Sequence, residues 1–203
     1  MKAHQFSSRP GQAAVGPLTV LAALLLAACS GSGGGSTASS PPASTAAGPT
    51  APSSATAITV RSPAFAAGTM IPVRFSCRGS NTPIPLAWTG VPAGASSVAL
   101  IMDDPDAPSG TFTHWVVFNL PTTSRGITGG RLPAGAAQAQ NGRGQAAYTG
   151  PCPPSGTHHY RFTVYAEPNR LSLQAGASLA EALAAIRANP LASGRLTGLF
   201  ASG

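Results

Sequence analysis

The chain has 203 residues, with 12 Lys and Arg against 5 Asp and Glu and a formal charge of +7. The basic residues are scattered without a run, which argues against a nucleic-acid-binding stripe and leaves at most a diffuse attraction to anionic surfaces. Once a leader is set aside, the length suits one domain with a real hydrophobic core.

Lys2 and Arg9 precede an apolar stretch from Leu18 to Ala28 that closes on Leu26-Ala27-Ala28-Cys29. A charged head, a short apolar core and a small-residue cleavage site make a secretory signal, and the stretch is too short to span a bilayer. Leu-Ala-Ala-Cys reads as a lipobox, so residues 1–28 are a lipoprotein signal peptide and Cys29 the lipidated first residue. A plain signal peptide with a chance Cys is the alternative. The protein is thus expected to be exported and lipid-anchored to a bacterial membrane, facing the periplasm or the cell exterior. Removing residues 1–28 takes away Lys2 and Arg9, so 10 basic residues, all Arg, face 5 acids and the charge falls to +5.

Ser30 to Ala57 holds no charge and no aromatic residue, a composition that cannot bury a core. Residues 29–57 are expected to be a tether with a mean reach of about 30 Å. The domain proper is 58–203. In it, short apolar runs at Ile58–Phe65, Met70–Cys77, Ser97–Met102, Phe112–Leu120 and Tyr160–Ala166 predict strands, and the Pro- and Gly-rich segments between them predict rigid loops. Ser178 and Glu181 form a capping box, and Leu179, Leu183 and Ile186 fall at helical spacing until Asn189-Pro190.

Two strands carry histidine among apolar neighbours. Period-two alternation puts His114 on a face with Phe112, Val116 and Phe118, and His158 with Tyr160, Phe162 and Val164, sending His159 and Arg161 to the other side. Periodicity alone leaves open whether these are core histidines or site residues.

The segments Asp104-Pro105-Asp106-Ala107-Pro108, His114-Trp115-Val116-Val117-Phe118-Asn119-Leu120-Pro121 and Tyr148-Thr149-Gly150-Pro151-Cys152-Pro153-Pro154-Ser155-Gly156-Thr157-His158-His159-Tyr160 resemble, in that order, the phosphatidylethanolamine-binding protein family. The bacterial branch of that family is often described as Raf kinase inhibitor-like. Cys77-Arg78-Gly79-Ser80-Asn81-Thr82-Pro83-Ile84-Pro85-Leu86-Ala87-Trp88 fits the same branch. The resemblance implies a mostly β fold, an antiparallel β-sandwich with a few short helices, and a small anion pocket at one end. It implies that Asp104 orients a histidine, that His114 meets the anion, and that His158 and Tyr160 line the opposite wall. Pro108, Pro153 and Pro154 would stiffen the rim, and Asp106 and Gly150 belong to the same ligand-binding set. The chain departs from the family at Gln140-Asn141-Gly142-Arg143-Gly144, where an acid and an aromatic are replaced, and at Arg78. Both changes make the pocket edge more basic.

Convergent donors in a fairly dry site suit a phosphate, a carboxylate or a phospholipid headgroup. The main reading is therefore a membrane-tethered binding protein for a small anion, with an inhibitor or modulator of a partner enzyme as the alternative. A hydrolase lacks a Gly-x-Ser-x-Gly elbow, so no enzyme is expected. No cofactor is expected either, and no metal site, because His159 points away from His158. Export to an oxidising compartment, with Cys29 acylated, leaves Cys77 and Cys152 to form a disulfide, free thiols being the other option.

The lipid-anchor reading has a direct test. Globomycin should make a precursor accumulate, and Cys29→Ala should move the protein out of the membrane fraction. A variant that stays there, with no precursor, removes the anchor.

Overall fold

Two stretches of the domain are apolar on both faces, and such stretches must be covered on both sides. They become centre strands. The structure, a computed structural model, describes residues 57–203; the expected signal peptide, Cys29 and all but the last residue of the tether lie outside the described residues. Numbered in chain order, the strands are β1 (Thr59–Arg61), β2 (Leu86–Thr89), β3 (Ser97–Asp104), β4 (Phe112–Leu120), β5 (Gly126–Ile127), β6 (Ala137–Gln138), β7 (Thr157–Glu167) and β8 (Ala192–Ala201). They form two antiparallel sheets, β1-β2-β5 and β6-β4-β3-β7-β8.

Trp88, Leu86, Leu100, Trp115, Phe162 and Phe200 fill the space between the sheets. On the far face of the large sheet, Ile101, Val116 and Phe118 meet Ala182 and Ile186 of the helix α1 (Leu179–Ala188). The capping box that starts α1 is present as expected, with Ser178 Oγ accepting from Glu181 N and Glu181 Oε2 accepting from Ser178 N. The antiparallel sandwich therefore stands, with one α-helix and one 3-10 turn among the described residues.

Three local expectations fail for physical reasons. Met70–Cys77 is not a strand but an isolated bridge from Met70 to Leu199 followed by a 3-10 turn at Val73–Phe75. Pro72 precedes that turn and has no N–H to continue a ladder. Strand β8 was not foreseen, because Gly194 and Gly198 dilute its apolar pattern. Both are sites of close approach: a Cβ on Gly194 would strike the Ile58 carbonyl, and one on Gly198 the Phe65 and Ile71 side chains.

The third failure matters most. Met102 pairs with Trp115 but Asp103 pairs with Thr113, so β4 carries one extra residue, His114, in a bulge. Strict alternation would have sent His114 to the helix side with Val116 and Phe118. The bulge turns it instead against Phe112 and Tyr160, with ring centroids 4.8 and 5.2 Å away.

Glu167 closes β7 at the end remote from His158. Its residue is 2% exposed, its Oε1 has no hydrogen-bond partner, and burial pushes its carboxyl up to about 7. The unfolded carboxyl titrates near 4.5, so between these values the native state binds more protons and loses stability as pH rises. Glu167→Gln should flatten this loss, which amounts to at most about 1.4 kcal/mol per pH unit. Denaturant unfolding of both proteins from pH 4 to 8 checks it, because the difference between them cancels every other titrating group. Parallel curves would show that Glu167 titrates normally.

Candidate functional site

The loop after β3 is shaped by two aspartates with different tasks. Asp104 is 3% exposed, and a carboxylate that deep must be hydrogen-bonded. Its Oδ1 accepts from Asp106 N at 2.9 Å and its Oδ2 from His158 Nδ1 at 2.7 Å. Asp106 turns outward. Its Oδ2 accepts from both the backbone N and the ring Nδ1 of His159, each at 2.7 Å, and these bonds hold its carboxyl below the usual carboxylate range. Alternation along β7 puts His158 and His159 on opposite faces, as the pattern foresaw, and the structure gives the first a buried aspartate and the second an exposed one.

Across the site, His114 Nδ1 lies 2.8 Å from the Thr149 carbonyl. A carbonyl only accepts, so Nδ1 carries the hydrogen and Nε2 of the neutral ring is a bare acceptor. Burial pushes the imidazole below its ordinary value of 6.5, more strongly than the Thr149 bond and the Asp104 charge raise it. Tyr160 packs edge-on against it, ring centroids 5.2 Å apart. Its hydroxyl is buried without a partner at bonding distance and angle, bordered by Asp104 and the Cys152 backbone. Burial raises that phenol, so it stays a neutral donor.

A cavity of about 160 Å³ opens between these groups, lined by Asp104, Ala107, Pro108, Phe112, His114, Arg143, Thr149, Cys152, Pro154 and His158. Among the residues singled out from sequence, Asp104, Pro108, His114, Pro154 and His158 face it. Tyr160, Asp106, Pro153 and Gly150 do not line it. Gly150 acts by close packing: a Cβ there would meet the Phe75 carbonyl and would lie 2.6 Å from Asn81 Oδ1, and its own N donates to that oxygen at 2.8 Å.

Thr149, Phe112, Ala107 and Cys152 reach the wall without having been picked out. Thr149 contributes a backbone carbonyl, which no side-chain pattern reveals. Arg143 belongs to the divergent loop and stands exposed at the rim. Asn141 holds that loop by accepting from Arg143 N at 2.8 Å and Gln145 N at 3.2 Å. Gly142 lets it pack on Phe112, whose ring would lie 2.6 Å from an added Cβ.

The β-sandwich carries Asp104, His114 and His158 at a small cavity on one end. The model of the phosphatidylethanolamine-binding protein family matches residues 61–201, and this chain belongs to that family. It is 48% identical over 138 residues to a UPF0098 protein of Methanothermobacter thermautotrophicus, covering 66% of this chain and 91% of that protein. It is 44% identical over 160 residues, 78% of this chain and 79% of the relative, to LppC of Mycobacterium tuberculosis, whose name marks a candidate lipoprotein. Among solved structures it resembles a candidate family homologue, CT736, from Chlamydia trachomatis, with a TM-score of 0.68 and 33% identity over 73% of this chain and 99% of the other. YbcL of E. coli, described as a member of the mammalian family, gives a TM-score of 0.68 and 32% identity over 72% of this chain and 99% of the other.

Cys77 and Cys152 are bonded, across a sequence separation of 75. The bond ties the 3-10 turn to the cavity wall, where Cys77 N also donates to the Pro151 carbonyl at 3.1 Å. Closing so long a loop stabilises by about 4 to 5 kcal/mol on the chain-entropy account. The Cys77→Ser, Cys152→Ser double variant should lose stability of that order in urea unfolding. Two reactive thiols in the denatured, unreduced protein would instead show that the bond does not form.

Proposed function

We propose that this family member is an extracytoplasmic, lipid-anchored binding protein whose cavity takes a small phosphate-like or carboxylate anion, of the size of a phospholipid headgroup. The observation that carries this reading is the convergence of His114 and His158 on one small cavity with Arg143 at its rim, the Tyr160 ring packing edge-on against His114. The mycobacterial relative named as a candidate lipoprotein supports the anchor. Asp104 fixes His158 by taking its Nδ1 hydrogen, which leaves Nε2 as the ring atom for the ligand. Arg143 at the rim adds attraction for an anion.

The lining does not suit covalent catalysis. Cys152 is spent in the disulfide, and the Thr149 hydroxyl accepts from Asn141 Nδ2 at 3.0 Å with no histidine or carboxylate recorded as its base. His159 is held by Asp106 outside the cavity, so the three domain histidines do not meet around a metal.

His114 couples binding to pH. In the neutral ring Nε2 presents a lone pair to an anion, and a proton there turns it into a charge-assisted donor. Binding then takes up a proton, so affinity must rise as pH falls. Because burial holds the free imidazole below 6.5, the rise continues below that value, by up to tenfold per pH unit, and levels off under the free-protein titration point. Titration calorimetry with inorganic sulfate, whose charge is constant over this range, isolates the protein's contribution, and phosphoethanolamine gauges a headgroup. His114→Ala should remove most of the pH dependence, whereas His159→Ala should change it little. Sulfate affinity that is unchanged in His114→Ala and His158→Ala, or shifts mapped to another part of the domain, would sink the assignment.

A further inference from the structure

All five carboxylates of the chain lie in the domain, and each is committed to a partner or to the interior. Asp103 receives Arg161 at 2.7 and 3.0 Å, with Arg187 at 3.7 Å. Asp104 and Asp106 hold histidines, Glu181 closes the capping box, and Glu167 is buried. Of the 10 arginines, Arg161 and Arg187 meet a carboxylate, leaving 10 − 2 = 8 that meet none among the described residues. The outside of the domain therefore carries a net cationic charge, with Asp106 and Glu181 the exposed carboxylates that oppose it.

That charge meets exposed apolar surface at one place. Met70 and Val73 are 50% and 52% exposed, two of the three large apolar side chains that stand in solvent among the described residues. Arg74 and Arg78 follow within five residues, each spread over an aromatic ring: Arg74 lies 4.4 Å from the Phe75 centroid and Arg78 lies 4.7 Å from that of Phe200. The segment is fastened to the cavity end by the Cys77–Cys152 bond and by the Tyr148 hydroxyl, which donates to the Phe75 carbonyl at 2.7 Å. Arg143 lines the same cavity.

We propose that this end of the domain docks on an anionic lipid bilayer, with Met70 and Val73 entering the headgroup boundary and Arg74, Arg78 and Arg143 meeting lipid phosphates. Two apolar side chains fall far short of the roughly 800 Å² per partner that a stable protein interface buries. Apolar tips flanked by arginines are sufficient for a surface that supplies charge and a deformable apolar layer. The chain enters the domain where Ile58 N donates to Ser193 O, at the opposite end of β8 from Phe200. Those ends are about 23 Å apart at strand rise; if Ser30 to Ala57 is the tether that its composition implies, its mean reach of roughly 30 Å spans that distance. An anchor at Cys29 and docking through the cavity end are therefore compatible on one membrane.

The test is co-sedimentation of the purified, unlipidated Cys29→Ala chain with phosphatidylcholine vesicles, with and without about 30% phosphatidylglycerol. Binding should need the anionic lipid and disappear in high salt. Adding Arg74→Ala and Arg78→Ala together should weaken it roughly 30-fold, while sulfate binding at the cavity persists. In a separate variant, Val73→Trp should show a blue-shifted emission that brominated lipids quench. Equal binding to neutral vesicles, a double variant that binds as before, or a tryptophan that stays in water would each overturn the proposal. None of these outcomes bears on whether sulfate enters the cavity, so this docking surface and the pocket fail separately.

Discussion

A carboxylate removed from water must be answered by hydrogen bonds, and the cavity end is organised around the way Asp104 is answered. Its two oxygens take one bond from the loop it begins and one from His158, a residue 54 positions away. The first bond bends the Asp104–Pro108 loop over the site. The second fixes the orientation of the imidazole that faces the ligand space. With Asp104 paired in this way, β3 and β7 must stay in register to the end of the strands, because a slip of one residue would offer His159 in place of His158.

His114 obeys a different constraint. It lies on β4, and regular alternation there would aim it at α1. One extra residue in the strand reverses this and sets the ring edge-on to Tyr160. The Thr149 carbonyl then decides which ring nitrogen is protonated. The two histidines thus face one cavity through unlike supports, a carboxylate for one and a backbone carbonyl for the other.

Much of this was legible before any coordinates. The limits of β4 and α1, the capping box and the separation of His158 from His159 follow from period and spacing, since they depend on neighbours within a few residues. The Asp104, His114 and His158 segments were picked out through family resemblance. What escaped depends on distant partners. The two glycines of β8 make sense only against Ile58, Phe65 and Ile71, which come from other parts of the chain. The His114 bulge is a property of the pairing between β3 and β4, so period two assigned its face wrongly. Asp106 looked equivalent to Asp104, and only the path of β7 shows that it serves the outer histidine.

The electrostatic design of the free site follows from the same arrangement. Asp104 and His158 are buried and hydrogen-bonded to each other, and desolvation disfavours a charge on His114. An anion entering such a cavity would be an uncompensated charge in a medium that solvates it poorly, which is costly. The least expensive remedy available to these residues is a proton on His114, taken up with the anion, because the ring is already oriented. Arg143 at the exposed rim would attract the proposed anion from solution but is screened there. On the proposed reading, attraction and retention fall to different groups, the permanent charge outside and the conditional charge within.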